Sequence, residues 1–288
     1  MSSKKILILG ASSFVAKGLY EVLTDRNYTV HRFKRGDIGQ KDELIMGDVY
    51  RLSENPYLSE NYDTVINFIV IKDVDNQKNI KYIQSVLDFC KSHRVKQLIH
   101  FSSIMVYNYG LKDVDEQTAI ETLDETTKKG YGEFKICVDQ YLMKQRKSLP
   151  FELIMVRPGY VLADNRPCPF IKGLPFGINL IKGNRQSKQP IVRRSDIHLA
   201  LVRIIENDCN DAVYHFFPNN DMTKYRYAKQ TRKGIILIMP KWLFKSIPHW
   251  LSLIGIMPES LYSRFEGMYI ESKFSSRRTE EKLKITFK

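Results

Sequence analysis

Short, nearly unbroken apolar runs alternate through the first 160 residues with stretches whose apolar positions recur every three or four places. Lys5-Ile-Leu-Ile-Leu9 is the first such run, and Tyr28–Arg35, Ile45–Val49, Asp63–Val70 and Val95–Ser103 follow. Runs so short and apolar predict strands buried on both faces of a parallel sheet. Between them, Leu19, Val22 and Leu23, and later Ile80, Ile83, Val86, Leu87 and Cys90, fall at helical spacing. Strands and helices in alternation predict a doubly wound parallel α/β sheet, whose ligands bind at the carboxyl ends of the strands.

The pattern changes after Arg157-Pro-Gly159. Pro167, Pro169 and Pro175, with Gly173, Gly177 and Gly183, interrupt any long element. Asp196–Ile205 reads as an amphipathic helix. Residues 234–257 are unusually apolar and hold both tryptophans, while Pro240 and Pro248 preclude one continuous helix. This stretch is expected to form lobe core. Its alternative is an interfacial docking segment, with Lys241 and Lys245 beside the apolar residues. The division expected is a dinucleotide-binding core over 1–160 and a small C-terminal substrate-binding lobe over most of 161–288, with some segments returning to the core.

Candidate chemistry begins at the first turn. Gly10-Ala-Ser-Ser-Phe-Val-Ala-Lys-Gly18 joins the first strand to a helix, the context in which a glycine-rich turn holds a diphosphate on backbone N–H groups. Of the three glycines of that pattern only Gly10 is present, and Ser13 and Ala16, both small, stand at the other two places. Gly10, Ser12, Ser13, Phe14 and Val15 are therefore candidate cofactor residues; the alternative is a plain tight turn. At the end of the second strand stand Arg32, Lys34 and Arg35 with no acid among them. Basic groups there suit a 2′-phosphate and so NADPH, whereas an acidic residue would suit NAD. Asp48, with Val49 after it, could meet an adenine amino group. Tyr131 and Lys135 lie one turn apart on a helix, where a cation can lower the pKa of a phenol toward working range.

Composition narrows the class. The net charge is +13, with 22 basic against 20 acidic residues over 1–150 and 14 against 6 over 221–288. That C-terminal excess suits a phosphate-bearing molecule or anionic lipid, and no nucleic-acid-binding motif accompanies it. Cys90, Cys137, Cys168 and Cys209 form no Cys-x-x-Cys pair and no metal-ligand spacing, which suits buried thiols in a reducing cytoplasm. No run of 18 apolar residues appears, and the N-terminal apolar strand is too short for a signal peptide.

Six stretches then stand in a telling order: Gly10-Ala-Ser-Ser-Phe14, Gly47-Asp-Val49, Asn79 opening a helix, Phe101-Ser-Ser-Ile-Met-Val-Tyr107, Tyr131-x-x-x-Lys135 and Arg157-Pro-Gly159. In this order the chain resembles the extended short-chain dehydrogenase/reductases, and within them the NAD(P)-dependent epimerase/dehydratase family, over about residues 4–205. The resemblance implies a Rossmann-type fold. It also implies Tyr131 as proton donor or acceptor, Lys135 holding the nicotinamide ribose and tuning Tyr131, and Ser103 hydrogen-bonding the reacting oxygen. Phe68, Ile69 and Val70 would line the cofactor, in place of the His-x-Ala-Ala segment usual in the family, and Pro158 would lie against it.

Departures narrow the reaction. Family dehydratases carry an Asp-Glu pair after the serine position, and fucose-synthase-like members a cysteine two places on; here Ile104 and Met105 follow Ser103. The expectation is an NADPH-dependent keto-reductase of a nucleotide-activated sugar, resembling a branch that acts in bacterial surface-polysaccharide synthesis. The alternatives are an NAD-dependent 4-epimerase, or a non-catalytic cofactor-binding or membrane-associated protein of the same fold. Arg193, Arg194 and Arg264 are the substrate diphosphate candidates, with Arg277 and Arg278 behind them. A homodimer is expected from the family's habit of pairing through the helices near Tyr131.

Overall fold

The computed structural model describes residues 3–58, 61–71, 75–108, 110–123, 131–162, 168, 170–207, 211–220, 222–238 and 270–288. Strand β1 (Lys5–Leu9) leads through a nine-residue turn to a short helix α1 (Leu19–Thr24), and β2 (Thr29–Arg35), β3 (Gly39–Lys41) and β4 (Leu44–Gly47) follow. Strand β5 (Thr64–Asn67), helix α2 (Asn76–Ser92) and strand β6 (Gln97–Phe101) come next. After the two-residue β7 (Asp113–Val114), helix α3 (Tyr131–Gln145) leads to β8 (Glu152–Pro158) and β9 (Tyr160–Leu162). Then come β10 (Ile171–Leu174), β11 (Ile178–Ile181), β12 (Ile191–Arg193), α4 (Arg194–Glu206), β13 (Val213–Phe216), α5 (Lys224–Thr231) and β14 (Ile235–Ile238). The chain closes with β15 (Lys273–Phe274) and α6 (Arg277–Leu283).

Eight strands form one sheet in the order β13-β8-β6-β5-β1-β2-β4-β3, parallel except where β3 turns back on β4. Its two faces are read directly from β1. Ile6 and Ile8 pack with Leu19 and Leu23 of α1 and Ile197 and Leu201 of α4, whereas Leu7 and Leu9 pack with Ile83, Val86 and Leu87 of α2. Period-two alternation along a strand covered on both sides makes both sets apolar. The chain leaves β1 toward β2 on one side and returns to β5 on the other. That reversal opens a crevice at the carboxyl ends of β1 and β5.

Three strands, in the order β10-β11-β14, make a small second sheet on which α5 packs through Ala228. Of the stretch expected from residue 234 onward to form lobe core, the described part contributes Ile236, which packs against the core of the small lobe. Ile235 and Leu237 are exposed and Ile236 and Ile238 half-buried, because β14 is an edge strand covered on one face only. Phe176, at the tip of the β10–β11 hairpin, is 97% exposed. Trp242 and Trp250, with Pro240, Pro248, Lys241 and Lys245, lie outside the described residues, as do Cys209, Pro167 and Pro169. No described helix is long and apolar enough to cross a membrane.

The C-terminal segment returns to the main sheet. Phe274, Leu283 and Phe287 join the core beside α4, and β15 pairs with β7. A buried polar chain fixes this return. The Arg157 guanidinium donates to the Tyr107 hydroxyl at 2.7 Å, Tyr107 donates to His215 Nε2 at 2.6 Å, and His215 Nδ1 donates to the Ser275 carbonyl at 2.7 Å. Burial holds the His215 imidazole down at about 3, against an ordinary 6.5, although the Ser275 carbonyl pulls it upward. The neutral ring is the tautomer this chain requires.

The unfolded chain takes up the His215 proton near pH 6.5 and the folded chain only near pH 3, so stability from the neutral ring is complete above 6.5 and lost as pH falls. About 2 kcal/mol should disappear between pH 7 and pH 5, with buried His100 and His198 acting in the same direction. Urea unfolding at the two pH values measures it; equal stabilities would show that His215 is not held neutral.

Candidate active site

A cleft of about 630 Å³ opens at the carboxyl ends of β1, β5, β6 and β8. Its floor is the turn after β1. Gly10 has φ +82, and a Cβ there would come within 2.8 Å of the Ile69 side chain, so no larger residue fits without moving the segment after β5. Ser13, where a glycine was expected, caps the turn itself: its hydroxyl accepts from the Ala16 N–H at 3.2 Å. The N–H groups of Ser12 and Val15 have no partner among the described residues. Opposite them, Asn67 accepts from Ile69 N–H at 3.0 Å and from the Tyr82 hydroxyl at 2.5 Å, which fixes Phe68, Ile69 and Val70 along the wall. Phe68 stacks on Phe101 at 4.2 Å between centroids.

The candidate reacting groups share this cleft. Ser103, Tyr131 and Lys135 all line it, from the turn after β6 and the first turn of α3. Ser103 is both cap and wall: its hydroxyl accepts from Met105 N–H at 3.2 Å and keeps its own proton to donate. Lys135 is buried and donates from Nζ to the Phe101 carbonyl at 2.5 Å. Burial brings its ammonium down to about 8, with Asp139 one turn further along α3 working against that fall. Asp139 is fully buried and accepts from Arg157 Nε at 3.1 Å. Burial raises its carboxyl above the ordinary range, and Arg157 limits the rise.

Tyr131 departs from expectation. Lys135 Nζ lies 5.8 Å from the centre of its ring, turned to Phe101, and the surrounding protein raises the phenol to about 12, with Asp139 adding to the rise. The residue as a whole is still 40% exposed, so solvent screening works against that rise. The one-turn spacing therefore does not by itself lower the phenol, because burial sets the direction of its shift.

The other candidates divide. Lys34 and Arg35 line the cleft with Pro158, and among the described residues no carboxylate does. Arg32 does not line it; its guanidinium lies over the Tyr20 ring of α1 at 4.1 Å. Asp48 and Val49 are also off the lining: Asp48 accepts from Tyr50 N–H at 2.9 Å, and Val49 is buried. Arg193 and Arg194 line a neighbouring cavity instead. Arg277 and Arg278 are paired at the surface with Glu281 and Asp211, and Arg264 lies outside the described residues. Sequence reasoning missed Tyr160, Val161 and Gln189. The one available signal was Gly159, where a Cβ would meet the Pro190 carbonyl at 2.4 Å, because β12 passes against this turn and brings Gln189 to the cleft.

A strand-turn-helix floor, a serine after the sixth strand and a Tyr-x-x-x-Lys helix at one crevice are joined by the comparisons. The chain belongs to the NAD dependent epimerase/dehydratase family, whose model matches residues 6–178. It is thus an NAD(P)-dependent oxidoreductase or epimerase of the extended short-chain dehydrogenase/reductase type. No curated sequence is similar enough to count as a relative. Among solved structures, the terminal R domain of the myxalamid PKS-NRPS biosynthetic pathway is similar at a TM-score of 0.74 and 16% identity, over 100% of this chain and 87% of that one. UDP-glucose 4-epimerase from Bifidobacterium longum, in complex with NAD+ and UDP, is similar at 0.67 and 15%, over 99% and 94%. A human epimerase family protein with NADPH is similar at 0.66 and 16%, over 98% and 94%.

Asp139→Asn would leave the Arg157 guanidinium buried without its counter-charge. Breaking such a pair costs about 3–5 kcal/mol, read as a lowered urea midpoint at pH 7. A loss under about 1 kcal/mol would show the pair to be dispensable.

Proposed function

We propose that the protein reduces a keto group on a nucleotide-activated sugar, of the 4-keto-6-deoxyhexose type, with NADPH, in surface polysaccharide biosynthesis. The observation that carries the reading is one cleft lined by Ser103, Tyr131 and Lys135 at one part and by Lys34 and Arg35 at another, with no carboxylate lining it among the described residues. The fit of a dinucleotide rests on the Gly10 turn, which a Cβ would obstruct, and on the free N–H groups of Ser12 and Val15, which suit phosphate oxygens. Lys34 and Arg35 would meet the 2′-phosphate; Phe68, Ile69, Val70 and Pro158 would exclude water along its length.

When bound, the nicotinamide supplies the hydride to the carbonyl carbon. The chain's own residues act on the oxygen. Tyr131 delivers its hydroxyl proton to that oxygen, Ser103 donates a second hydrogen bond to it, and the Lys135 ammonium steadies the phenolate left behind. Solvent at the exposed part of Tyr131 returns the proton. Ile104 and Met105 line the cleft where elimination would need an acid and a base, which favours simple reduction. The small sheet is assigned to hold the sugar nucleotide. The neighbour that binds UDP with NAD+ and the one that binds NADPH support the substrate class and leave both cofactors in play. The 4-epimerase is the competing reading.

A fluorescence titration should show NADPH binding at least about tenfold tighter than NADH, about 1.4 kcal/mol, with the difference erased in a Lys34→Ala/Arg35→Ala variant. Tyr131→Phe should keep NADPH affinity and lose at least about 100-fold in turnover of a UDP-keto-sugar. Tighter NADH binding, or protein isolated with firmly held NAD, would transfer the assignment to the epimerase.

A further inference from the structure

Beside the cleft lies a second cavity of about 480 Å³ that the proposed reduction does not use. Its walls bring together parts of the chain far apart in sequence: Lys17 ahead of α1, Arg193 and Arg194 at the start of α4, and Arg232 after α5. Four cations line it and, among the described residues, no carboxylate does. Among the described residues none of the four is ion-paired, whereas Arg26, Arg203, Arg277 and Arg278 elsewhere on the surface all have carboxylate partners. Like charges gathered in one concavity raise the local potential and draw in a counter-anion.

The start of α4 adds to this field. The helix is 13 residues long, and no side chain caps its first turn. Its open N–H groups and dipole therefore favour negative charge. Two arginines at that end oppose the dipole, an arrangement that an anion between them would resolve. Asp196, in the same turn, is engaged elsewhere and accepts from the Lys288 N–H at 2.9 Å. Arg194 is braced over the Phe14 ring at 5.5 Å.

The cavity is not an extension of the cleft. Tyr160 and Val161 of β9 line the cleft and Leu162 the cavity. Phe14 and Val15 belong to the cleft, Lys17 and Gly18 to the cavity. His198 closes the partition by donating from Nε2 to the Val15 carbonyl at 2.8 Å. Burial lowers its pKa, so it serves as a neutral wall.

We propose that this cavity is a second anion site, taking the phosphate or diphosphate group of a small phosphorylated molecule while the cofactor cleft is filled. Inorganic pyrophosphate is the probe, titrated calorimetrically into the whole protein at low ionic strength, with and without saturating NADPH. One equivalent should bind in both cases, more weakly as salt is raised. An Arg193→Ala/Arg232→Ala variant should lose at least about tenfold in pyrophosphate affinity and keep its NADPH affinity within about twofold, while the surface control Arg51→Ala changes neither. The proposal is overturned if no pyrophosphate binds at about 10 mM, if NADPH displaces it, or if the double variant binds it as well as the parent. A parent protein that fails to bind NADPH would sink the cofactor reading and leave the pyrophosphate result to decide this one.

Discussion

Arg157 is the residue on which the arrangement turns. Its guanidinium reaches the end of β8 fully buried, and a buried charge is tolerated only if its donors are met. Asp139 meets one from α3 and the Tyr107 hydroxyl another from the turn after β6. Tyr107 passes the connection to His215 on β13, and His215 passes it to the backbone ahead of α6. One cation thus ties the helix of Tyr131 and Lys135, the turn of Ser103 and the C-terminal segment to the same strand. The need to satisfy it sets where α3 can sit.

The position of α3 then decides the state of Lys135. Seated against β6, its side chain has the Phe101 carbonyl as acceptor and Asp139 as the nearest charge, and burial brings the ammonium toward neutral pH. The same seat holds Tyr131 at the rim of the cleft with its phenol raised.

The glycine turn shows the reverse dependence, of sequence on neighbours. Gly10 is required because Ile69 lies against it, and Gly159 because Pro190 does. Ser13 replaces a glycine without loss because its hydroxyl closes the turn on Ala16. The turn also forms one wall of both cavities, through Phe14 and Val15 on one side and Lys17 on the other. Residues only two places apart therefore serve different surroundings.

Local pattern determined much of this. Apolar runs of five to nine residues marked β1, β2, β4, β5 and β6 of the main sheet but not β3, β8 or β13, and β5 stops at Asn67 and β6 at Phe101, because the backbone there turns aside to form the cleft wall. Tyr131, Lys135, Ser103 and the Gly10 turn were legible because residue spacing on a helix, and position just after a strand, are properties of the chain itself. The choice among basic residues was not. Lys34 and Arg35 turn to the cleft while Arg32 packs on Tyr20, and Arg193 and Arg194 face a cavity of their own. Nor could spacing reveal Gln189, or that Lys135 would find a carbonyl before it found the phenol. Sequence alone determined the order of elements and the chemistry they carry, because both follow from local periodicity; only the tertiary structure decided which charges meet, because that depends on side chains brought together from distant parts of the chain and on the water excluded between them.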